Sequence, residues 1–101
     1  MQILTFAEFI AMPDGVLYQE VTEYGSPVAG LAIRHSVLYD GDRPFDFIYE
    51  EVLARTADGE MDAPLILEGP GTARWGLFDY DLRYIVYEEA DRKALAAKVL
   101  G

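Results

Sequence analysis

Polar and apolar side chains alternate along "GLAIRHSVLY" (30–39). Leu31, Ile33, His35, Val37 and Tyr39 fall on one face, and Ala32, Arg34, Ser36 and Leu38 on the other. A period of two predicts a β-strand. "FDFIYEEVLAR" (45–55) continues it, with Phe45, Phe47 and Tyr49 on one side. Between them, Asp40-Gly41-Asp42-Arg43-Pro44 is hairpin chemistry. "VLYQEVTEY" (16–24), rich in β-branched and aromatic residues, is a further strand ending at Gly25-Ser26-Pro27. "LILE" (65–68) reads as a short strand and "RYIVYE" (83–88) as a better one.

Helical signals stand at the two ends of the chain. Thr5-Phe6-Ala7-Glu8 has the form of a capping box, with Leu4 and Phe9 at the positions of a hydrophobic staple. Pro13 disfavours helical geometry at Met12, which predicts a two-turn helix over 6–12 with Phe9 and Ile10 facing the core. "EEADRKALAAKVLG" places acids in its first turn and lysines later, the polarity a helix dipole favours. The expected order is helix, four or five antiparallel strands, helix. This is a single α+β domain spanning 1–101, built on a curved sheet or small open barrel.

Composition narrows the chemistry. The 101 residues include no cysteine, so disulfides, thiolate nucleophiles and cysteine metal sites are excluded. The formal charge is −10, and Arg34 is the first basic side chain. Such a chain repels phosphate backbones, which argues against direct nucleic-acid binding. No apolar stretch approaches the roughly 20 residues of a membrane span. The opening "MQILTFAEF" lacks a basic n-region, and a cytoplasmic location is expected.

The loop "GPGTARWG" raises the question of a phosphate cradle. Gly71 and Gly76 have P-loop spacing, but Leu77 and Phe78 stand where lysine and a hydroxyl are needed. Gly69 and Gly71 begin a dinucleotide pattern that Arg74 interrupts. Asp58, Glu60 and Asp62 mimic positions 1, 3 and 5 of a calcium loop, yet Ala63 and Gly69 occupy the positions of the turn glycine and the bidentate acid. His35 is the only histidine, and its neighbour Ser36 points to the opposite strand face, so the two make no nucleophile–base pair. No catalytic residue, metal or cofactor is assigned, and the protein is read as a non-enzyme.

Three groups of residues carry a resemblance. Leu4-Thr5, Glu8-Phe9, Pro13, Gly15 and Tyr18 form the first; Gly30, Leu31, Ile33 and Arg34 with Asp46, Phe47 and Tyr49 form the second. Leu77-Phe78-Asp79, Asp81, Tyr84, Val86, Tyr87 and Glu88 form the third. In these the chain resembles a family of short tailed-phage and prophage proteins with no known activity. The resemblance implies a phage source and a cytoplasmic role in the host cell, and supplies no catalytic residues.

Charge and aromatic content then suggest an accessory protein that binds and inhibits a host protein, such as a defence component. The expected contact surface is acidic: Asp40, Asp42, Glu50, Glu51, Asp58, Glu60 and Asp62. An alternative is a homo-oligomer that sequesters a small nucleotide signal. It would use Arg34, Arg43 and Arg74 for phosphates and Trp75 for stacking. A minor virion component is a third reading.

Overall fold

The computed structural model describes residues 1–52 and 82–101 in full and the backbone of 55–56, 65–66 and 71–72. Its elements are β1 (Gln2–Leu4), α1 (Phe6–Ile10), β2 (Leu17–Val21), β3 (Ala32–Asp40) and β4 (Arg43–Glu51). There follow β5 (Arg55–Thr56), β6 (Leu65–Ile66), β7 (Gly71–Thr72), β8 (Arg83–Tyr87) and α2 (Glu89–Leu100). Six strands form one antiparallel sheet in the order β1-β8-β2-β3-β4-β7, while β5 and β6 pair separately. The α+β class expected from the hydrophobic pattern is the one observed. No helix among the described residues is long and apolar enough to cross a membrane.

α1 begins where the capping box places it. The Thr5 hydroxyl accepts from the Glu8 amide at 3.3 Å, and the Glu8 carboxylate accepts from the Thr5 amide at 3.0 Å. That backbone bond, followed by one from the Thr5 hydroxyl, holds the Glu8 carboxyl below its ordinary value. Losing the cap through Thr5→Ala is expected to lower unfolding free energy by about 1 kcal/mol, read as an earlier urea midpoint at unchanged slope. β2 stops at Val21 because Thr22 closes a turn. Its hydroxyl accepts from the amides of Tyr24 and Ser26, and Gly25 carries the positive φ of 86° that the turn requires. The strand is therefore shorter than the expected 16–24.

The 40–44 connection is tighter than its composition suggested. Asp40 pairs with Arg43, leaving Gly41 and Asp42 as a two-residue turn, with φ of 62° at Gly41. The register of β3 against β4 slips by one residue between Arg34 and Val37 and is restored between Leu38 and Tyr39. These bulges switch the strand's faces partway along. Ala32 and Arg34 point into the core, and beyond the first bulge Val37 lies opposite the fully buried Phe47. The uniform alternation expected over 30–39 therefore does not hold.

The core lies between the sheet and α1 and comprises Leu4, Phe9, Tyr18, Ala32, Phe47, Tyr84 and Val86. Phe9 stacks on Tyr84, with ring centroids 4.3 Å apart and planes at 4°. It meets Phe47 edge-on at 5.3 Å and Tyr18 at 4.8 Å. α2 buries no residue fully. Its first turn is tied to the chain's start, where the Met1 amine lies 2.7 Å from Asp91.

Candidate functional site

Arg34 was expected, in the alternative reading, at a surface phosphate site. The structure encloses its side chain completely. Nη1 donates to Asp14 at 3.2 Å and to the His35 carbonyl at 3.0 Å, and Nη2 donates to the Met12 carbonyl. The guanidinium carbon stands 5.5 Å from the centre of the Phe9 ring. Two backbone bonds, Gly15 N–H to the Arg34 carbonyl and Arg34 N–H to the Val16 carbonyl, bring the Pro13–Gly15 turn alongside. Arg34 thus pins that turn over the core, and a dissolved anion has no path to it. This corrects the expectation for Arg34. Arg74 and Trp75 lie outside the described residues, and Arg43 remains at the hairpin end.

The acids expected to form one surface are divided by the strand. Asp40 and Asp42 are exposed at the turn, whereas Glu50 and Glu51 lie roughly 20 Å away at the other end of β4. Glu50 and Glu51 also face opposite ways. Glu50, opposite Ile33, turns to the outer face, where its carboxylate meets His35 Nε2 at 3.1 Å. Glu51, opposite Ala32, turns toward the core side. Asp58, Glu60 and Asp62 lie outside the described residues.

What the structure adds is the shape of the β3–β4 hairpin. Among the described residues, β2 pairs with β3 at Ala32 and Ile33, and β7 pairs with β4 at Ile48 and Tyr49. Past those positions the two strands continue as a ribbon, with its inner root buttressed by Phe6 against Phe47 at 6.5 Å. At its end Tyr39 is 59% exposed, and Tyr39, Asp40, Arg43 and Phe45 surround an open cavity of about 390 Å³. Two aromatic rings beside exposed acids make a surface that can give both apolar area and charge to a contact.

A second, smaller recess lies at the root of the ribbon. Tyr18, Glu20, Ala29, Gly30, Ala32, Tyr49 and Glu51 line about 90 Å³. Glu20 and Tyr18 are both buried, and sit two residues apart on the same face of β2. Sequence reasoning missed this grouping because Glu20 and Glu51 meet only through the pairing of strands distant in the chain. Burial, with the nearby Glu20 charge as a lesser cause, pushes the Tyr18 phenol well above its ordinary range, so the hydroxyl keeps its proton.

Among the described residues no group of three or more His, Asp or Glu side chains is placed to hold a metal ion. No protein-family model matches this chain, and comparison with curated proteins and with solved structures gave no significant match.

Proposed function

We propose that this protein is a non-enzymatic binding module that presents the β3–β4 ribbon to a basic surface on a partner protein. Given the resemblance to short phage and prophage proteins, the partner is a host protein that the contact inhibits. The observation that carries this reading is the ribbon's end, where Tyr39, Asp40 and Asp42 are all exposed. The net charge of −10 speeds encounter with a basic surface, and the aromatic rings supply the area that keeps the two together.

The test compares wild-type protein with the double variant Asp40→Lys/Asp42→Lys as immobilised bait for host extract, at low and high salt. One host polypeptide is expected on the wild-type bait, weakening as salt screens the charges. Its affinity for the variant is expected to fall at least about tenfold while circular dichroism stays unchanged. Equal capture by both baits, or capture indifferent to salt, overturns the reading.

A further inference from the structure

We propose that the recess at the root of the ribbon is a receptor for a single cationic side chain, a lysine or arginine, donated by the basic partner. The inference rests on the reading of a basic partner and adds where one of that partner's charges is seated.

Three observations meet at this site. First, the recess of about 90 Å³ suits the end of one side chain and is too small for a nucleotide. Second, its lining sets two carboxylates, Glu20 and Glu51, beside the rings of Tyr18 and Tyr49. Carboxylates accept charge-assisted hydrogen bonds from ammonium or guanidinium groups, and tyrosine faces attract cations. The remaining lining, Ala29, Gly30 and Ala32, is small and apolar and leaves room for a methylene stem. Third, Tyr18 is 3% exposed and lines this recess, and its hydroxyl makes no hydrogen bond to the described residues. A phenol oxygen can accept from an incoming N–H while its own proton goes to a carboxylate.

Among the described residues no third carboxylate joins the pair, which makes a poor cage for a divalent ion that takes six or more oxygen ligands in the case of calcium. The same lining suits an organic cation, whose charge the carboxylates attract and whose several N–H groups they can share. The strand register holds the geometry. Ala32 sits opposite Glu51 and Tyr18 opposite Ala32, so one row across β2, β3 and β4 brings both Tyr18 and Glu51 to the recess.

The experiment is a titration of the whole, isotope-labelled protein followed by amide NMR. The probes are Nα-acetyl-lysine N-methylamide and its uncharged norleucine counterpart. Saturable shifts at Tyr18, Gly30, Ala32 and Glu51 are expected with the lysine probe and not with norleucine. Glu51→Gln is expected to weaken lysine binding about tenfold, the size of one lost charge-assisted hydrogen bond. Tyr18→Phe, which removes a single oxygen, is expected to weaken it as well while the spectrum stays that of the folded protein. Shifts of equal size with norleucine, no saturable shift, or full lysine affinity in Glu51→Gln would each overturn the proposal. The ribbon variant Asp40→Lys/Asp42→Lys lies away from the recess and should bind the lysine probe normally. Failure of the recess is therefore separable from failure of the ribbon.

Discussion

Arg34→Ala is expected to cost about 3–5 kcal/mol of stability, whereas Asp14→Ala should cost under about 1 kcal/mol. The asymmetry follows from where the two partners sit. Arg34 is fully enclosed and Asp14 is 65% exposed, so water can replace the arginine for Asp14 but nothing replaces the arginine inside. Its removal leaves the Met12 and His35 carbonyls without this donor and opens a void against the Phe9 ring. Urea unfolding of both variants checks the prediction. Equal losses, or an Arg34→Ala protein within about 1 kcal/mol of wild type, would show that the turn is held some other way. The result also bears on function. A surface phosphate ligand is dispensable for folding, and an internal pin is not.

Phe9→Ala is expected to cost a similar 3–5 kcal/mol, a large share of the roughly 5–15 kcal/mol that holds a small domain folded. Phe9 is fully buried and touches Tyr18, Phe47 and Tyr84, so its loss removes a ring against which three other buried rings pack. Phe9→Leu restores most of the volume and should recover more than half of the loss. Phe6, partly buried and 6.2 Å from the Tyr84 ring, should matter less. Because the Arg34 guanidinium stands over Phe9, the double variant Arg34→Ala/Phe9→Ala should lose less than the sum of the single losses. Calorimetric unfolding of the four proteins closes that cycle, and strict additivity would argue that the cation and the ring do not share one packed unit.

The residues differ in how openly they declared these roles. Thr5 and Glu8 announced α1 because a capping box is local chemistry, complete within four positions. Gly41 announced its turn for the same reason. β1 gave no such signal. Its three residues become a strand only by pairing with β8, some eighty positions later. The bulges in β3 were equally silent, since an extra residue in a ladder is defined by the partner strand. They explain why Val37 comes to lie opposite the buried Phe47, whereas Arg34 and Ile33 part by simple alternation. The division of Glu50 from Glu51 was legible all along, because neighbouring residues in a strand point to opposite faces. The recess was not legible, because Glu20 and Glu51 come from β2 and β4 and meet only after β3 has been laid between them.

The position of β8 has a consequence for how the chain is born. It is inserted between β1 and β2, strands from far earlier in the chain, and it carries Tyr84 and Val86 into the core. Until those residues emerge, Phe9, Tyr18 and Phe47 lack the Tyr84 ring they pack against, and the facing edges of β1 and β2 stand open. The β1-β8-β2 part of the sheet is therefore expected to close only once β8 has been made. Messages cut short before Tyr84 should yield chains that the cell's proteases clear more readily than chains that carry it.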